Sequence, residues 1–128
     1  MNSTPANEDV LIDLRDRLRV FAIERDWQQF HTPKNLAMAL IGEAAEVVEH
    51  FQWLSPDDSA ELPASTRREV GHELADVLLY LVRLADRLEI DLRTAALEKL
   101  AINAQRYPVD KAYGRSDKYD RLETGKDD

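Results

Sequence analysis

A chain of 128 residues, 44% of them hydrophobic, suits one compact domain with a modest core, residues 1–128 throughout. Its formal net charge of −8 disfavours a nucleic-acid polymer as partner, and no extended basic stripe offsets it. Without cysteine there are no disulfides or thiolate metal sites, and no apolar run approaches the ~20 residues that span a bilayer.

The first residues, Met1 to Glu8, are polar and show no apolar signal region, so the cytoplasm is the expected compartment. Helix A is expected from Glu8 to Asp26, where Val10, Leu11, Leu14, Leu18, Phe21 and Ala22 recur at helical spacing. A loop follows over Trp27 to Lys34, and Pro33 favours a helix start just after it. Helix B is expected from Asn35 to Trp53, with an apolar stripe of Leu40, Ala44, Val47, Val48 and Phe51. Ser55 to Ser65 is polar, holds two prolines and reads as a loop. Helix C is expected from Thr66 to Leu88, with Val70, Leu74, Val77, Leu78, Leu81, Leu84, Ala85 and Leu88 on one side. Asp91 reads as the N-cap of helix D, Leu92 to Arg106, which Pro108 ends. The charged tail Val109 to Asp128 is expected to be extended, with flexible ends at about 1–7 and 120–128. No strand is expected, and the fold class is all-α, an antiparallel bundle of about four helices. Small helical chains gain core by association, so a homo-oligomer is expected.

The chemistry concentrates in spaced acids. Helix B carries Glu43-x-x-Glu46 and helix C carries Glu73-x-x-Asp76. Residues three apart share a helix face, so packing the two apolar stripes can bring all four carboxylates to one edge. Converging anions repel and favour protonation unless a cation enters. Mg²⁺, a hard ion that keeps waters and substrate phosphates in its shell, suits such a site. Either pair alone reads as a common solvated face; the two pairs together, each beside aromatic residues, point to the metal site. The stripes continue through His50 and Trp53 on helix B and through Glu69 and Tyr80 on helix C. Trp53 and Tyr80 either wall a nucleobase or extend the core with polar atoms at its edge. A di-iron site needs Glu-x-x-His on two helices, and Glu69-Val-Gly-His72 is the single such pair.

These motifs resemble the all-α nucleotide pyrophosphohydrolases of the MazG-like superfamily, and within it the dCTP pyrophosphatase branch. Beyond the acids, the resemblance is carried by Arg25 to Leu36, Phe51-Gln52-Trp53, Asp76 to Tyr80 and Lys99 to Pro108. Lys111, Gly114, Lys118 and Tyr119 extend it, so that it covers about Phe21 to Leu122. It implies Mg²⁺ on Glu43, Glu46, Glu73 and Asp76, and cleavage of a nucleoside triphosphate into monophosphate and pyrophosphate. It places Trp27, Trp53 and Tyr80 at the base, Lys99 and Asn103 at the phosphates, and Arg106 with them. It also implies a dimer or tetramer. Leu18 stands where that branch can carry a histidine, which bears on base selectivity and not on metal chemistry. Without the family, Lys99 reads as a solvated residue and Arg106 as a charge at a helix C-terminus. His31 either touches substrate or hydrogen-bonds its own loop, and His50 reads as a helix-surface residue. The alternatives are a dUTPase-like or phosphoribosyl-ATP pyrophosphohydrolase activity, or a non-catalytic helical module.

Overall fold

In the computed structural model, residues 9–124 are described. Among them are seven α-helices, one 3₁₀ turn and no strand, an all-α fold as expected. They form two compact units, divided between Ile90 and Asp91.

The first unit opens with α1, Val10–Glu24, whose N-cap Asp9 accepts a hydrogen bond from the Leu11 N–H at 2.9 Å. The helix stops where Asp26 turns left-handed at φ 54. There the Trp27 N–H bonds back to the Ala22 carbonyl at 2.9 Å and the Asp26 N–H to that of Ile23 at 3.1 Å. This paired closure holds the last carbonyls and fixes where Trp27 leaves the helix. After the 3₁₀ turn Gln28–Phe30, α2 spans Pro33–Glu49. Pro33 sits inside its first turn and the Thr32 side chain caps the Asn35 N–H, so the helix starts at the proline rather than after it. It also ends earlier than expected, with Phe51 to Leu54 following as turns. The segment read as a loop contains the one-turn helix α3, Pro56–Ser59, capped by Ser55. The long α4, Ala64–Arg87, closes with the same left-handed device at Glu89, φ 56.

Helix α4 packs on both α1 and α2. His31, just before α2, meets Arg83 and Arg87 near the end of α4, whereas His50, at the end of α2, meets Glu73 further up α4. The two helices therefore run antiparallel. Ala22, Leu36, Val70, Val82 and Ala85 are the buried apolar residues of this unit. Several members of the expected stripes remain open, among them Val48, Leu74 and Leu88.

The second unit begins with α5, Leu92–Arg106, and its expected N-cap: Asp91 accepts from the Thr94 N–H at 3.0 Å. The tail is not extended. It forms α6, Val109–Ala112, and α7, Tyr119–Thr124, separated by Gly114 at φ 72. Pro108, which ends α5, also opens α6, because its carbonyl accepts the Ala112 N–H at 2.9 Å. Tyr119 packs edge-on against Tyr107, and Leu122 is buried. The ends expected to be flexible lie outside the described residues, except for 120–124, which are helical.

Candidate active site

Two packed helices supply the acids. Glu43 and Glu73 are half-buried, while Glu46 and Asp76 are more open. One oxygen of each half-buried acid, Glu43 Oε2 and Glu73 Oε2, is shut off from solvent without a hydrogen-bond donor. Burial raises the Glu43 pKa above 4.5, and Glu46, Asp76 and Glu73 push it the same way. The other three carboxylates of the two motifs thus all act on Glu43. No group of three acidic or histidine side chains among the described residues encloses a cation unaided. Buried carboxylate oxygens without donors, facing added negative charge, nevertheless need a positive partner. An oxygen-seeking divalent cation fits that donor set.

His50 is not a surface residue. Its Nε2 lies 2.6 Å from Glu73 Oε2, with both side chains mostly covered. The contact lacks the alignment of a hydrogen bond, so Glu73 Oε2 keeps its unmet demand.

Asp76 also lines a cavity of about 280 Å³, together with Trp27, His31 and Tyr80. Leu18, Phe21, Leu36 and Leu79 give it apolar walls, and Arg83 completes the lining. The Trp27 ring meets Phe21 and His31 edge-on, at 5.6 and 6.3 Å between centroids. Trp27, His31 and Tyr80 also border a second hollow beside Phe30 and Asn35. Three of the expected substrate-binding residues, Trp27, His31 and Tyr80, therefore converge with one acid. Trp53 does not join them. It lies past the end of α2 and is 87% exposed, so it is not part of a helical stripe. Lys99, Asn103 and Arg106 belong to α5 in the second unit. Lys99 is exposed and Asn103 half-buried, and the Arg106 guanidinium lies 4.8 Å over the Tyr119 ring.

His31 is fixed by two arginines of α4. Arg83 Nε donates to His31 Nδ1 at 3.1 Å, and Arg87 Nε donates to the His31 carbonyl at 3.1 Å. With Nδ1 accepting, the neutral ring carries its proton on Nε2. Burial, then Arg83 and Arg87, lower its pKa below 6.5. The unfolded chain therefore binds this proton more readily than the fold. The stabilising contribution is complete above pH ~6.5 and is lost as pH falls below it. Urea unfolding from pH 7.5 to 5.5 is expected to show falling stability, with a shallower fall in His31→Asn. Equal slopes would show that His31 is not the group responsible.

Arg83 itself escaped the sequence reading. It is 4% exposed and ties to Asp86 at 3.2 Å, while Arg19 of α1 reaches the same carboxylate at 2.8 Å. The available signal was an arginine, Arg83, inside a run of apolar residues on helix C.

The MazG-like family pattern matches residues 40–122. The chain is 45% identical over 120 residues to dCTP pyrophosphatase 1 of Mus musculus, covering 92% of this chain and 71% of that protein. The Homo sapiens dCTP pyrophosphatase 1 gives the same identity over the same length and shares. A solved pyrophosphatase from Archaeoglobus fulgidus superposes with a TM-score of 0.74 at 39% identity, covering 83% of this chain and 99% of the other. The acid pairs, the all-α fold and these matches agree: the chain belongs to the MazG-like family.

Proposed function

We propose that this chain hydrolyses deoxynucleoside triphosphates between the α- and β-phosphates, releasing a monophosphate and pyrophosphate. The substrate is dCTP or a modified pyrimidine dNTP, and the work is house-cleaning of the nucleotide pool in the cytoplasm. The observation that carries this reading is the double membership of Asp76, which stands in the acid group and in the wall of the aromatic cavity. A base in that cavity directs its phosphates towards the carboxylates. The relatives named dCTP pyrophosphatase support the same substrate class.

In this reading Glu43, Glu46, Glu73 and Asp76 hold Mg²⁺, which when bound neutralises phosphate charge and supplies an activated water. The donorless oxygens of Glu43 and Glu73 support the assignment. One of the four acids takes the proton of the attacking water. Trp27, His31 and Tyr80 hold the base. Lys99 stabilises the departing pyrophosphate as a point charge, with Asn103 as a neutral donor and Arg106 beside them. For these three the support is the match in residues and their place along one helix. No described helix is long and apolar enough to cross a membrane. The active form is a homo-oligomer, a dimer or tetramer. Its support is the apolar surface a single chain leaves open on α2, where Met38 and Ile41 are 62% and 69% exposed.

Purified protein incubated with Mg²⁺ and each dNTP is expected to yield monophosphate and pyrophosphate, fastest from a pyrimidine, and nothing in EDTA. Mg²⁺ is also expected to raise the melting temperature, by the equivalent of about 2.7 kcal/mol at a hundred times its Kd. Release of orthophosphate would place the cut at the wrong bond. No cleavage of any dNTP would overturn the proposal.

A further inference from the structure

We propose that Arg83 is a positioning residue for substrate binding: its hydrogen bond to Nδ1 holds the His31 ring with Nε2–H turned to the substrate as a donor. The inference rests on the function proposed above and adds to it a residue that acts through His31 and needs no contact with substrate of its own.

Arginine Nε can only donate, and in Arg83 it lies 3.1 Å from His31 Nδ1. A donor there requires a bare ring nitrogen opposite it. An imidazole turned over would present a carbon instead, and the other tautomer would set one N–H against another. One contact therefore selects both the orientation of the ring and its tautomer. Burial and the charges of Arg83 and Arg87 lower the His31 pKa, so near neutral pH the ring is uncharged with its single proton on Nε2. Arg83 is held in turn: its Nη1 donates to Asp86 Oδ2 at 3.2 Å, on a side chain only 5% exposed.

The other polar atoms of His31 are engaged save one. Its backbone N–H donates to the Trp27 and Gln28 carbonyls at 3.1 and 3.2 Å, and its own carbonyl accepts from Arg87 Nε at 3.1 Å. Nε2 has no hydrogen-bond partner among the described residues, and unlike Arg83 Nη2 it is not shut off from solvent. His31 stands in the wall of both hollows that share Trp27 and Tyr80, one of them also lined by Asp76. Apolar walls with a few placed polar groups are the usual make-up of a site for a flat organic ligand. An uncharged N–H there offers one fixed donor to an acceptor atom of the base. His31 comes from the segment before α2, whereas Arg83 shares α4 with Tyr80 and Asp76. The bond ties that donor to the helix carrying the acid, so it is in place before substrate arrives and little ordering is required on binding.

The test compares Arg83→Met with Arg83→Gln. Both take the guanidinium away from Asp86, but the glutamine amide nitrogen sits at the chain position of arginine Nε and can still donate to Nδ1. For the fastest-cleaved dNTP, KM is expected to rise about tenfold in Arg83→Met, the usual worth of one hydrogen bond, with a much smaller change in kcat. Arg83→Gln should recover most of that rise without being more stable. The same order is expected for the Kd of the non-cleavable α,β-imido nucleotide. A readout independent of turnover and of any variant at Arg83 uses wild-type protein labelled with ¹⁵N-histidine at about pH 7.5, where the ring is uncharged. His31, identified by the signal that His31→Asn lacks, should show a bare Nδ1 and a protonated Nε2. Binding of the imido nucleotide should then shift its Nε2–H. Equal KM in the methionine and glutamine variants, a protonated Nδ1 in the wild type, or an Nε2–H that ignores the nucleotide would each overturn the assignment. If the arginine variants do not fold, the wild-type spectrum alone decides. A wild type that gives these signals and binds the nucleotide but cleaves no triphosphate would instead overturn the proposed function and leave the role of Arg83 in place.

Discussion

Glu73→Ala is expected to lower kcat/KM by at least roughly a thousandfold, about 4 kcal/mol of transition-state stabilisation, while the protein stays folded. Glu73 has a buried oxygen with no aligned hydrogen-bond donor, His50 Nε2 at 2.6 Å being its one close polar neighbour among the described residues. Its charge also adds to the repulsion that raises the Glu43 pKa. Removing it therefore costs the fold little and relieves a like-charge contact, so the melting temperature in EDTA should hold or rise. His50 loses its carboxylate neighbour at 2.6 Å and stays a partly covered side chain. The diagnostic is the split between two measurements. Turnover and the Mg²⁺-dependent rise in melting temperature should vanish together, with the circular dichroism spectrum unchanged. Hydrolysis at the wild-type rate would sink the metal-site assignment, and an unfolded variant would show that Glu73 serves the fold instead.

Asp86→Ala is expected to do the opposite, leaving the acids intact and damaging stability by about 3–5 kcal/mol, the usual consequence of breaking a buried ion pair. The Asp86 side chain is 9% exposed and accepts from Arg19 Nε at 2.8 Å and Arg83 Nη1 at 3.2 Å. The Arg19 hydrogen bond is the main reason its pKa lies below 3.8, against the opposing effect of burial. Without this carboxylate, Arg83 keeps its charge among buried neighbours with only the neutral His31 as partner. Arg19→Ala is the control. That side chain is 46% exposed, and Arg83 would still hold Asp86, so its loss should be much smaller. Urea unfolding read by far-UV circular dichroism measures both. A loss below about 1 kcal/mol in Asp86→Ala would mean that Arg83 finds other compensation.

The acids were readable because their chemistry is carried by spacing along single helices. Glu43 and Glu46, or Glu73 and Asp76, share a face whatever the rest of the chain does. The aromatic side of the site was readable in part. Trp27, His31 and Tyr80 converge, but Trp53 was counted on a helix that stops at Glu49, where His50 caps the end and the chain enters turns. Periodicity carries past a helix end when the turn beyond it holds large residues, since nothing in Phe51-Gln52-Trp53 is a strong breaker. Arg83 was legible only as an arginine inside an apolar run, and the His50–Glu73 contact not at all. Each joins residues from different helices, and an arginine within helix C reads as a solvated charge until its neighbours are known.

By itself the sequence determined the all-α class, the four long helices and most of their limits. Local capping and 3.6-residue periodicity set these, as Asp91 capping α5 illustrates. It also determined the four carboxylates and, through family motifs, the kind of reaction to look for. The tertiary structure alone decided which apolar residues are covered, with Leu36, Val82 and Ala85 buried while Leu74 and Val48 stay open. It decided that the tail folds into short helices, because Tyr119 finds Tyr107 and Leu122 finds cover. It also decided that one buried arginine links His31 to Asp86 and lines the aromatic cavity. The reason is physical: burial and desolvation depend on what other helices bring close, and a one-dimensional pattern carries only the half of each contact that lies on its own helix.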